Sequence, residues 1–78
     1  MGMTELMVNN SINNNFYKIE KLLNALWTNA KNVVAGDGPD KYETAKEMIL
    51  DGGAEIMSHL GEVVKKIDEL NEKNEEND

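Results

Sequence analysis

The chain has 78 residues, a net charge of −7 and no cysteine, with eight lysines and no arginine against fifteen acidic residues. This length allows one domain at most, and no disulfide can stabilise it. Because arginine is the favoured residue for bidentate phosphate and base contacts, its absence from an acidic chain argues against direct nucleic-acid binding.

Size and composition favour self-association. Domains below about 70–80 residues rarely gain more than about 3–5 kcal/mol from one core, and usually add disulfides, a metal or a partner. The chain has only one Trp, two Tyr and one Phe, which limits the dry core that one copy can build. With disulfides excluded and no cofactor indicated, a second copy is the simplest partner, and we expect a homodimer.

The charge is unevenly distributed along the chain. Residues 1–36 carry two acidic residues and three lysines, a net charge of +1. Residues 37–78 carry thirteen acidic residues and five lysines, a net charge of −8. This acidic half suits solubility or a basic protein partner better than a nucleic acid.

The hydropathy pattern argues against a membrane protein. No apolar run approaches the roughly 18–20 residues that span a bilayer. The first residues also lack the basic segment followed by an apolar segment that marks a secretory signal. We therefore expect a cytoplasmic protein without a membrane contact.

Residues 1–12 are weakly patterned. The segment 5–8 is compatible with a short strand, a helical turn or a disordered arm. The asparagine-rich run that follows favours caps and turns over a helix interior. We expect a flexible N-terminal arm over residues 1–12 and a helical domain over residues 13–71.

The first helix is predicted from about residue 14 to residue 35. Its apolar residues alternate three and four apart, which places them on one helix face. Trp27 lies beside this face, so we expect it in the core or at a subunit interface. The predicted core residues of this helix are Phe16, Ile19, Leu23, Leu26, Trp27, Ala30 and Val33.

A short linker separates the first helix from the second. Gly36 suits a left-handed residue just beyond a helix end, and Pro39 suits the first turn of the next helix. Asp40 and Glu43 offer an alternative start as a capping box. A connection this short between two amphipathic helices predicts an antiparallel helical hairpin in an all-α protein.

The second helix is predicted from about residue 40 to residue 71, and it carries two apolar stripes. One stripe is expected to pack on the first helix, and it includes Tyr42, Ile49, Ile56, Leu60, Val63 and Ile67. The other is expected to form the dimer interface, and it comprises Leu50, Ala54, Met57, Gly61 and Val64. Because a helix with two stripes needs more than one neighbour, we expect a dimeric four-helix bundle.

Gly52 and Gly53 interrupt the second helix. Glycine costs about 1 kcal/mol relative to alanine in a helix interior. The pair is compatible with a helix break, a kink or a tight crossing of two helices, and we favour a continuous but kinked helix. Residues 72–78 are polar and acidic, and we expect them to form a disordered tail.

The spacing of potential ligands argues against a metal site at two places in the chain. A calcium loop starting at Asp37 requires glutamate at its twelfth position, where Met48 stands instead. His59 lies between Glu55 and Glu62 at helical spacing, on a face expected to be solvated. Because no cysteine or second histidine completes the set, we expect no metal and no cofactor.

The function expected from the sequence is that of a small, acidic, non-enzymatic helical protein that binds another protein. No catalytic spacing or phosphate-binding loop supports an enzyme. Regulatory and accessory factors, including those of phages and mobile elements, commonly have this form. Two alternatives are a nucleic-acid mimic that inhibits a DNA- or RNA-binding protein, and a structural subunit that self-assembles.

Overall fold

Two long antiparallel helices form the protein, as a computed structural model shows. The structure describes residues 2–76, with side chains through residue 72. Helix α1 spans Met3–Ala35 and helix α2 spans Lys41–Glu76. The two helices pack side by side into a rod of 60 × 15 × 11 Å. The predicted all-α helical hairpin is confirmed.

Helix α1 begins well before the predicted residue 14. The structure continues the helix over the segment for which a flexible arm was expected. Val8 and Ile12 explain the difference, because they extend the face that packs on α2 by two further positions. Asn15 adapts to this setting: its side chain is buried, and its Nδ2 donates to the Ser11 carbonyl at 3.0 Å. Packing thus outweighs the weak helix propensity of asparagine.

The linker closes without a left-handed residue. Gly36 has φ −80° and ψ −174°, an extended conformation, which differs from the left-handed geometry expected of it. Its N–H donates to the Val33 carbonyl at 3.1 Å, and its carbonyl accepts from Lys41 Nζ at 3.1 Å. The lysine side chain therefore supplies a bond that ties the end of α1 to the start of α2.

Helix α2 is continuous through Gly52 and Gly53, as predicted, and the expected kink stays a prediction. A Cβ added at Gly52 would lie 2.8 Å from Leu26 Cδ1, whereas nothing lies within 4 Å of a Cβ at Gly53. Gly52 therefore allows Leu26 of α1 to approach the α2 backbone. The tight crossing considered from the sequence is found at Gly52 and not at Gly53.

The contact between Leu26 and Gly52 sets the register of the hairpin. From this point a series of buried and half-buried positions follows in equal steps of three and four residues, in opposite directions along the two helices. We call these positions the seam. In α1 they are Val8, Ile12, Asn15, Ile19, Leu22, Leu26, Ala30 and Val33, and in α2 they are Ala45, Met48, Gly52, Ile56, His59, Val63, Lys66 and Leu70.

Part of the predicted core lies outside the seam. Ala30 and Val63 are buried as expected, and Ile19, Leu26, Val33 and Ile56 are half-buried. Seven others are exposed, from 36% at Leu60 to 69% at Tyr42; these are Phe16, Leu23, Trp27, Tyr42, Ile49, Leu60 and Ile67. In α2, Met48, Gly52 and His59 lie in the seam instead of the exposed residues that were predicted there. The physical reason is the broad apolar arc of α2, of which α1 covers one edge.

The C-terminal part of α2 also differs from the expectation. The helix runs to Glu76, five residues beyond the predicted end. The acidic tail expected over residues 72–78 is therefore helical through residue 76, and its last two residues lie outside the described part of the chain.

Alanine substitution should separate the two glycines. In the monomeric chain, at concentrations too low for self-association, Gly53→Ala should raise the free energy of unfolding by about 1 kcal/mol, because alanine favours the helix and no other part of the same chain lies near the site. Gly52→Ala should give a smaller gain or a loss, because Leu26 must move away from the added methyl group. Urea denaturation at equal chain concentration measures both changes, and equal gains would contradict the close crossing.

Asn15→Leu should stabilise the hairpin. The Ser11 carbonyl stands four residues before Asn15 and already accepts the helical backbone bond, so removing the side-chain amide leaves no unsatisfied acceptor. We expect a gain of about 1 kcal/mol in the free energy of unfolding from apolar burial and helix propensity. Asn14→Leu is the matched control, because Asn14 is exposed and its replacement gains helix propensity without apolar burial. A gain at residue 15 no larger than that at residue 14 would contradict this account.

Candidate protein-interaction surface

Large apolar side chains collect on one side of the hairpin. An ideal helix turns about 100° per residue, so each exposed residue can be placed relative to the seam. Eight of them flank the seam on the same side, and we call them the apolar side. They are Phe16, Leu23, Trp27 and Val34 from α1, with Tyr42, Ile49, Leu60 and Ile67 from α2.

The apolar arc of α2 continues past this side. Leu50, Met57 and Val64 are exposed at 58–65% and lie on the outer shoulder of α2, next to the apolar side. From Met48 in the seam to Leu50 on the shoulder, the apolar residues of α2 span an arc of about 200°. One neighbouring helix covers only part of such an arc.

A groove opens on the apolar side between the two helices. Its volume is about 500 Å³, and Lys31 is the only charged residue in its lining. The lining residues are Leu23, Leu26, Trp27, Ala30, Lys31, Val34 and Ile49. Lys31 lies at the margin, with its Nζ 5.9 Å from the centroid of the Trp27 ring. The groove therefore presents an apolar floor and one aromatic wall.

The opposite flank of the seam has the contrary character, and we call it the polar side. From α1 it presents Ser11, Lys18, Ala25 and Asn29, and from α2 it presents Asp51, Glu55, Glu62 and Glu69. The α2 carboxylates on this side are all exposed. The hairpin as a whole is thus amphipathic, with an apolar side and an acidic side.

His59 lies in a different place from the one expected. It is half-buried in the seam, whereas Glu55 and Glu62 are exposed on the polar side. Lys18 and Lys21 line the same shallow cavity as His59 and Glu55, and their positive charges disfavour a cation there. In the part of the chain that the structure describes, no three potential ligands are grouped to hold a metal ion.

The five residues expected at the dimer interface lie along one stripe on the outer part of α2. All five are exposed: Leu50, Ala54, Met57, Gly61 and Val64. The three large ones form the shoulder, next to the apolar side. Ala54 and Gly61 lie on the edge of this stripe that is farther from the apolar side, and nothing approaches a Cβ at Gly61 within 4 Å. The structure contains one chain, so their role in a dimer stays a prediction.

The sequence reasoning missed the apolar side as a separate surface. Its members had been assigned to the core of one chain, because apolar spacing alone does not show which part of a broad arc faces the neighbouring helix. A signal was present in the spacing of seven residues between Phe16 and Leu23, and again between Trp27 and Val34. Repeats of seven mark one flank of a seam as well as its centre.

Comparison with known proteins adds no further assignment. No protein family, curated protein or solved structure matches this chain. Among the described residues, neither helix is long and apolar enough to cross a membrane.

Proposed function

We propose that this chain is a non-enzymatic helical protein that acts by binding protein through its apolar side. The observation that carries the proposal is the concentration of exposed apolar side chains from both helices on one side of the hairpin. Contiguous exposed apolar surface of this kind typically marks an interaction site. The most apolar part is the groove beside Trp27, and aromatic side chains frequently anchor such contacts.

The assembly that we propose is a four-helix bundle. Two helices packed side by side leave their flanks open, and a second pair of helices laid across one flank completes a common core. Leu23, Trp27 and Ile49 would then be buried between the two pairs. The groove lies between two helices and has an apolar lining, which suits the apolar side chains of a helix better than an extended polar peptide.

The titratable residues support a binding protein over an enzyme. The carboxylates of α2 lie on the exposed polar side, where water solvates them. The cavity that holds His59 is shallow and open, so it offers a substrate little exclusion from water.

Site-specific photo-crosslinking in the cell that makes the protein tests this function. The photo-reactive residue p-benzoylphenylalanine in place of Trp27 should give covalent protein adducts. The same residue in place of Tyr17 should give none or few. The two positions are matched, because both are aromatic, exposed at 64% and 61%, and accompanied by a lysine four residues later. Tyr17 lies away from the apolar side.

Two outcomes would contradict the proposal. Position 27 giving no adduct would show that the apolar side meets no protein. Equal adducts at positions 17 and 27 would show non-specific contact. An adduct at position 27 alone supports the proposal whatever the mass of the captured protein.

A nucleic-acid mimic is the second candidate function, and the polar side supports it. Asp51, Glu55, Glu62 and Glu69 follow one another along α2 on that side, with Lys66 between the last two and 3.9 Å from the Glu69 carboxylate. A basic groove of a DNA- or RNA-binding protein could accept such a line of carboxylates. This candidate places the partner on the polar side and not on the apolar side.

Salt separates the two candidates. Cross-linking from Trp27 in an extract of the same cells should persist from about 0.05 to 0.5 M salt, because apolar contacts are not screened. A mimic would instead give adducts from Ala25, on the polar side, and those adducts would disappear over the same range. Salt-sensitive adducts at position 25, together with none at position 27, would replace the first candidate by the second.

A further inference from the structure

We propose that a second copy of this chain covers the apolar side, related to the first by a two-fold axis perpendicular to the helices. The inference rests on the proposed function and names its partner. It is carried by three features of the described residues: the symmetry of their spacing, the charges at the margin and the area left exposed.

The apolar residues of each helix are spaced symmetrically. On α1 the intervals between Phe16, Leu23, Trp27 and Val34 are seven, four and seven residues. On α2 the intervals between Tyr42, Ile49, Leu60 and Ile67 are seven, eleven and seven residues. Each series superposes on itself when its direction is reversed. A two-fold axis perpendicular to the helices performs this reversal, and an isologous contact requires it.

The two centres of symmetry lie side by side. The α1 series is centred on residue 25, and the α2 series is centred between residues 54 and 55. In the register set by Leu26 and Gly52, residue 25 stands level with residue 53. The centres therefore differ by about 1.5 residues, or about 2 Å along the axis at 1.5 Å per residue. One axis can serve both helices, placing α1 against its copy and α2 against its copy.

Gly53 lies close to this axis. It points toward the apolar side, and nothing lies within 4 Å of a Cβ placed on it. In the proposed dimer the two copies of Gly53 face each other, and the missing side chains let the two α2 helices approach. The same residue has no comparable use inside one chain, where Gly52 makes the close crossing.

The charges along the α1 margin agree with the same axis. Glu20 and Lys31 border the apolar side on its outer edge, and their midpoint lies within half a residue of the α1 centre. Reversal therefore brings Glu20 of one copy opposite Lys31 of the other. A two-fold axis parallel to the helices would instead bring Lys31 to the level of Lys46 of the second copy, which is unfavourable.

The exposed area fits a dimer. The chain has an accessible surface of 6034 Å². A compact folded monomer of this mass exposes about 4,700 Å², so the hairpin carries an excess of about 1,300 Å². Obligate homodimers commonly bury about 2,000–5,000 Å² in total, which is about 1,000 Å² or more from each chain.

Sedimentation equilibrium of the full chain tests whether a second copy is the partner. We expect twice the chain mass of 8.7 kDa at micromolar concentration. Leu23→Glu should weaken the dimer by about 100-fold or more, because it places a charge in the buried contact. Leu6→Glu should leave the dissociation constant unchanged. The two leucines are matched, with 52% and 49% exposure on the same helix, and Leu6 lies ten residues before Phe16, the first residue of the apolar side.

Cross-linking of single cysteines tests the axis, since the natural chain has none. A short thiol-specific bifunctional reagent should link Gly53→Cys chains into dimers and leave Ala54→Cys chains unlinked. The reverse result would place the second copy on the outer face of α2 and overturn the proposed arrangement. Linking at neither position, with a dimer in sedimentation, would overturn the perpendicular axis.

The remaining outcomes are also decisive. A monomer at tens of micromolar, or equal weakening by Leu23→Glu and Leu6→Glu, overturns the second copy as partner. A mass that keeps rising with concentration overturns the closed dimer in favour of open assembly.

If the purified chain is monomeric while position 27 still captures another protein in the cell, this inference fails and the proposed function stands. Circular dichroism of each variant confirms that the helices remain folded.

Discussion

The apolar arc of α2 is wider than one neighbouring helix can cover, and the rest of the structure follows from this mismatch. Helix α1 packs on the edge of the arc that contains Gly52, where its Leu26 can approach the backbone. Going around the helix axis, the remainder of the arc extends from the side of α2 that carries Ile49 to the shoulder that carries Leu50, and it stays exposed. Apolar surface of this extent is costly in water, at about 25 cal/mol per Å². The single hairpin therefore leaves much of its apolar surface uncovered.

The seam contributes less stability than its length suggests. Among the side chains that the structure describes, only Ile12, Ala30, Ala45 and Val63 are buried apolar residues, and all but Ile12 are small or of middle size. Asn15, His59 and Lys66 occupy further seam positions and place polar atoms at the helix contact. Polar groups in such a contact specify register at a cost in stability. The one ion pair among the described side chains, Lys66 with Glu69 at 3.9 Å, is partly exposed and adds little. The larger reserve of hydrophobic stabilisation lies on the apolar side.

The sequence predicted the architecture because the relevant signals are local. Alternating steps of three and four identified both helices, and the short linker fixed their antiparallel order. The extent of α1 escaped prediction because the packing of Val8 and Ile12 on α2 overrides the preference of asparagine for caps and turns. The sequence did not predict which face of α2 packs on α1, because two adjoining apolar stripes fit the helical periodicity equally well. A contact between two chain segments, Leu26 on Gly52, decides between them, and no single-helix pattern contains that contact.

The two adjacent glycines illustrate how the same composition can serve two surfaces. They differ by one residue, hence by about 100° around the helix axis. Gly52 faces α1 and is needed for the crossing within the chain, whereas Gly53 faces the open side, where its Cβ position is empty. A helix that must approach one neighbour within its chain and another on the adjoining flank needs a small residue in each direction at about the same height. The pair costs helix propensity in isolation, and in the proposed dimer close packing on two flanks would offset that cost. The dimer would thereby give a physical reason for a glycine pair in the middle of a helix that continues unbroken on both sides of it.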